Sequence, residues 1–127
     1  MVNDLNEVLI TGRLTRDPEL KETRGGTDLC TFSIAVNRYF KRDTGGDWGE
    51  ETSYVEVTAW GILAKNCAQG LAKGRQARVR GRLKHERWQD GNGVNHQKIC
   101  IVADRVEWQA PKPQDSGAST EAEPAAR

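Results

Sequence analysis

The chain has 127 residues, room for one domain with a real core plus a tail. Its formal net charge of +1 is too balanced to name a partner class, although a segregated field can hide inside such a total. Three cysteines, Cys30, Cys67 and Cys100, are too few and too far apart for a disulfide framework or a metal site, and each reads as a buried thiol of a reducing compartment.

In chain order, residues 6–15 alternate, with Val8, Ile10, Gly12 and Leu14 on one face of a first strand. Gly12 in mid-strand predicts a bend or a close approach. Residues 16–27 read as a polar loop punctuated by Pro18 and Gly25-Gly26. Residues 28–40 form a second strand with Cys30, Phe32, Ile34 and Val36 in phase, followed by Arg38-Tyr39-Phe40-Lys41-Arg42. Asp43-Thr44-Gly45-Gly46-Asp47 signals a hairpin into a third strand that ends at Trp60-Gly61. Trp48, just after the turn, reads equally as rim packing or as a ligand contact. From Ile62 the period changes to that of a short amphipathic helix, closed by Lys73-Gly74. A fourth strand runs over 75–88, turned by residues 89–93 into a fifth over 95–108. There Ile99 and Ile101 share one face and Cys100, Val102 and Val106 the other, so cover on both sides is expected. After Gln109 no aliphatic is larger than alanine, and residues 110–127 are expected to be a disordered tail behind a domain at 1–109.

Two of these strands carry an unusual second face. In the third, Val55, Val57 and Ala59 form a core face, while Tyr54, Glu56, Thr58 and Trp60 lie opposite. In the fourth, Ala77, Val79, Gly81 and Leu83 oppose Arg78, Arg80, Arg82, Lys84 and Trp88. Aromatics on which bases can stack, beside cations that track phosphates, are what a sequence-tolerant single-strand binder needs. The phosphate candidates are Arg13, Arg38, Lys41, Lys65, Lys73, Arg78, Arg80, Arg82, Lys84 and Arg87. His85 and His96 lack a third ligand at useful spacing, and no nucleophile–histidine pattern or phosphate-cradling glycine loop is present, so neither a catalytic site, a metal nor a cofactor is expected. Asp43, Asp47, Glu50 and Glu51 in a Gly-rich hairpin are solvating charges before they are a nuclease site. No apolar run nears the ~20 residues that span a bilayer. The N-terminus lacks the pattern of a signal peptide, and a cytoplasmic, nucleoid-associated location is expected.

Five strands with one helix between the third and fourth is the element order of an OB-fold barrel, an all-β fold that binds oligonucleotides or sugars. The residues also resemble a family, the bacterial single-stranded DNA-binding proteins of the SSB type. The resemblance lies in Ile10-Thr11-Gly12-Arg13-Leu14-Thr15-Arg16-Asp17-Pro18-Glu19, Phe32-Ser33-Ile34-Ala35-Val36-Asn37-Arg38 and Trp60-Gly61-Ile62-Leu63-Ala64-Lys65-Asn66. It continues in Leu71-Ala72-Lys73-Gly74, Val79-Arg80-Gly81-Arg82-Leu83 and Arg87-Trp88-Gln89-Asp90. It implies a homotetramer that wraps single-stranded DNA in replication, recombination and repair, with bases stacked on Phe40, Tyr54, Trp60 and Trp88. The parity of the strands independently puts Tyr54, Trp60 and Trp88 off the core, whereas Phe40 falls in the core phase of Phe32. Two departures stand out. Val55 replaces a histidine that some members carry at the subunit contact. The chain ends Glu123-Pro124-Ala125-Ala126-Arg127 instead of in the acidic, aromatic-tipped peptide that docks repair and replication proteins, so no such docking is expected. An OB-fold binder of structured RNA or of a protein partner, and a magnesium-dependent nuclease, remain the alternative classes at this point.

Overall fold

The computed structural model describes residues 1–43 and 45–109; the expected tail lies outside the described residues. The elements are β1 (Val8–Leu14), β2 (Glu19–Glu22), β3 (Asp28–Lys41), β4 (Trp48–Trp60), α1 (Gly61–Gly70), β5 (Gln76–Gln89) and β6 (Asn95–Trp108). The sheet order is β1-β5-β6-β4-β3-β2, and β1 also pairs with β3 through Arg13↔Ala35 and Leu14↔Ile34, which closes β1, β3, β4, β5 and β6 into an OB-fold barrel. The closing contact between β4 and β6 is parallel, Val57↔Ile101 and Thr58↔Val102.

Alternation explains the core. Phe32 and Ile34 of β3, Val57 and Ala59 of β4, Ala77 and Val79 of β5 and Ile101 of β6 all turn inward and are buried. The α1 helix covers the barrel with Ala64 and Cys67. Each buried methylene removed from water in this layer contributes about 0.8 kcal/mol. Burial, and secondarily the neighbouring Cys30, pushes the Cys67 thiol up to about 12, consistent with an inert core thiol. The glycine expected to mark a close approach does so: a Cβ at Gly12 would lie 2.6 Å from the Ala35 carbonyl oxygen.

Four sequence expectations need correction. The stretch read as a loop over 16–27 contains β2, which pairs with β3 from Glu19↔Thr31 to Glu22↔Asp28. All four β2 residues are exposed, so no apolar period announces the strand. The helix ends at Gly70, not at Lys73: the Leu71 amide donates to the Cys67 carbonyl at 2.9 Å, and the backbone then turns extended. Lys73-Gly74 instead belongs to the next turn, where the Asp17 carboxylate accepts the Lys73 amide at 2.9 Å and the Gly74 amide donates to the Leu14 carbonyl at 2.8 Å. In β6, the partner register jumps between Arg80↔Arg105 and Gly81↔Ala103, leaving Asp104 unpaired as a bulge. The inward set therefore changes parity from Ile101 and Ala103 to Val106. Finally, Leu83 and Ile99 are in core phase yet 48% and 63% exposed. They lie past the barrel rim, where the β5–β6 hairpin continues as an arm with no layer beneath it. The outer half of the β3–β4 hairpin is likewise exposed from Asn37 to Lys41 apart from Phe40.

Candidate nucleic-acid interface

The register of the central strands assembles one continuous outer face. Thr58 of β4 lies beside Val102 of β6, which lies beside Arg82 of β5. From that row the even-numbered residues extend along each strand, because side chains alternate with a period of two. Tyr54 and Trp60 of β4 and Trp88 of β5 therefore share a face, and they are 71%, 44% and 46% exposed. Packing within the barrel does not account for large apolar rings left in water on a sheet face.

Between these rings lies an ionic cluster that the sequence did not single out. Lys98 of β6 donates to Glu56 of β4 at 2.9 Å, and Glu86 of β5 is 3.9 Å away. The hydrogen bond to Glu56 is the main cause holding the Lys98 ammonium above its ordinary value, with charge attraction from Glu56 and then Glu86 added to it. The same ammonium stands 5.7 Å from the Trp88 ring centroid. Alternation places Glu56 on this face, but its partner is 42 residues away in sequence.

The structure separates Phe40 from the other three aromatics. Phe40 is half-buried on the opposite face of β3, packed against Gly49 directly across from it on β4. The Arg38 and Arg42 guanidiniums stand 5.4 and 5.9 Å from its ring centroid. Tyr39, one residue earlier, is 64% exposed on the face of Tyr54, and so is Trp48 at 66%, opposite Lys41. Sequence reasoning passed over Tyr39. The signal was its parity with Ala35 and Asn37, which face the same way.

The candidate cations divide by what they already touch. Arg80 pairs with Asp104 at 3.1 Å, Arg78 with Glu107 at 3.4 Å, Arg38 with Glu51 at 3.3 Å and Lys65 with Asp28 at 3.5 Å. Arg13 donates to the Gly74 carbonyl at 3.2 Å. Among the described residues Arg82 and Lys84 have no such partner and lie on the aromatic face. Lys41 is exposed beside Trp48, Lys73 is exposed in the turn after α1, and Arg87 is exposed on the reverse face of the β5–β6 arm.

The match to a known family settles what kind of barrel this is. The model of the single-strand binding protein family matches residues 5–109. The chain belongs to that family. A single-stranded DNA-binding protein of Treponema pallidum is 42% identical over 104 residues, 82% of this chain, of which the chain spans only 57%. Single-stranded DNA-binding protein B of Bacillus subtilis is 36% identical over 113 residues, covering 89% of this chain and 97% of the relative. In a solved structure described as Plasmodium falciparum SSB in complex with ssDNA, the chain matched has a TM-score of 0.77 and 22% identity, covering 85% of this chain and 97% of that one. That likeness carries the fold. No helix among the described residues is long and apolar enough to cross a membrane.

Proposed function

We propose that this barrel binds single-stranded DNA without sequence preference, protecting it during replication, recombination and repair in the cytoplasm. The observation that carries the reading is the exposed face holding Tyr54, Trp60 and Trp88 together with Arg82 and Lys84, cations unpaired among the described residues. Every base has a π-face, so aromatic platforms hold a strand whatever its sequence, and cations beside them meet the phosphates between bases. Tyr39, Trp48 and Lys41 would carry a strand on along the β3–β4 arm. Phe40, half-buried on the opposite face of β3 from Tyr54, is the weakest of the four family platforms here. The other phosphate candidates enter in proportion to how readily they exchange a carboxylate for a phosphate.

Titration with oligo-dT at several salt concentrations tests this. Tryptophan emission should be quenched, and log affinity should fall against log salt with a slope of about −0.7 per phosphate neutralised. Replacing Arg82 and Lys84 together by alanine should reduce that slope by about 1.4, whereas the pair Arg78 and Arg80, already satisfied by Glu107 and Asp104, should change it less. An equal response from both pairs would remove the ion-pair distinction, and preference for a duplex would remove the reading.

The same reading includes a homotetramer. β1 pairs with β5 from Val8 to Arg13, but with β3 only at Arg13 and Leu14, so the other edge of residues 8–11 is open among the described residues. An open edge on a strand that carries the exposed Leu9 invites another copy. Light scattering should give about four times the 14.1 kDa of one chain at micromolar concentration; a monomeric mass would reject the assembly.

A further inference from the structure

Trp88 and His96 face each other across the β5–β6 arm, their rings stacked with centroids 5.4 Å apart and planes 21° from parallel. Asp90, in the connecting turn, reaches His96 Nε2 at 2.8 Å and also accepts the amides of Asn92 at 2.9 Å and Val94 at 3.0 Å. The His96 bond first, and then the backbone bonds, hold the Asp90 carboxyl below the usual carboxylate range. An ionised carboxylate can only accept, so Nε2 carries the hydrogen and Nδ1 is the nitrogen that gains or loses a proton. The other charges near the ring are Lys98, which is occupied by Glu56 and Glu86, and Arg87, which neighbours Trp88 in the chain but projects from the reverse face of the arm. The ring is exposed. It is thus held by one carboxylate, stacked on a base platform, and open to a strand passing over that platform.

We propose that His96 is a proton-linked member of the DNA site, extending the Trp88 platform to two rings and taking up a proton from solvent at Nδ1 as single-stranded DNA binds. The imidazolium formed lies against the indole face and beside the passing phosphates, both of which favour the positive form. This rests on the single-strand reading above, and adds a dependence on pH that stacking and permanent cations do not have. Binding that takes up a proton strengthens as pH falls.

The chain contains two histidines, and they lie on opposite faces of one arm, His85 being bonded to Gln97 at 2.8 Å on the reverse side. That makes the test clean. The full chain should bind oligo-dT roughly two- to fivefold more tightly at pH 6 than at pH 8. H96F, whatever its affinity, should bind equally at both pH values, while H85Q should keep the full response. Calorimetry at pH 6.5 in buffers of different ionisation enthalpy should register proton uptake for the full chain and for H85Q, and none for H96F. A response retained in H96F or lost in H85Q would overturn the assignment, as would a full chain indifferent to pH. Failure to bind oligo-dT at either pH would overturn the single-strand reading and this inference with it.

Discussion

Trp60→Ala and Trp88→Ala should each weaken oligo-dT binding by about 1–3 kcal/mol, and the double variant by roughly the sum if the two rings hold different bases. Several observations set the size and keep it apart from a folding defect. Both rings are nearly half exposed; Trp60 points away from the core that Val57 and Ala59 help to build, and Trp88 stands on the arm beyond the barrel rim. Trp60 stands at the N-cap of α1 without a side-chain capping bond, so truncation removes no helix cap. The urea midpoint of either variant should therefore lie close to that of the parent. Tyr54→Phe should bind like the parent, because a stacked base uses the ring and not the hydroxyl. Trp60→Ala with a collapsed urea midpoint would mean that this ring supports the fold, and the outer face would lose its central platform.

Gly81→Val should have the largest effect on folding. A Cβ at Gly81 would overlap the Val102 carbonyl and come within 2.9 Å of the Ala103 Cα. Both obstacles are backbone in a paired strand, beside the bulge at Asp104, and no rotamer change can move them aside. Overpacking a well-filled core costs about 1–3 kcal/mol when side chains can yield. Here the strands themselves must part, so a loss of at least about 3 kcal/mol is expected from a total stability on the order of 5–15 kcal/mol. Chemical denaturation reads this directly, with Gly91→Ala as the comparison. Nothing lies within 4 Å of a Cβ at Gly91, and that variant should stay within about 0.5 kcal/mol of the parent. If Gly81→Val folded as stably as Gly91→Ala, the close approach of β5 to β6 would be wrong.

Features that depend on neighbours along the chain are legible in the residues alone. Alternation at Val55, Val57 and Ala59, and at Ala77 and Val79, fixed which side of β4 and β5 faces the core, and so placed Tyr54, Trp60 and Trp88 outside. Turn residues fixed both long hairpins, and the switch from a period of two to 3.6 after Trp60 located the helix. What depends on the partner across a ladder was not legible in any one strand. The four exposed residues of β2 become a strand because β3 offers its edge, a cause with no local period. The bulge at Asp104 reverses the parity of β6, and the barrel rim turns core-phase Leu83 and Ile99 into exposed arm residues. Cross-strand register likewise put Phe40 against Gly49 with two guanidiniums beside it, left Tyr39 in the open, and tied Arg80 to Asp104 while sparing Arg82. Side-chain alternation is a property of the strand, but the neighbour across the ladder is set by register, and register is chosen by the closed barrel as a whole.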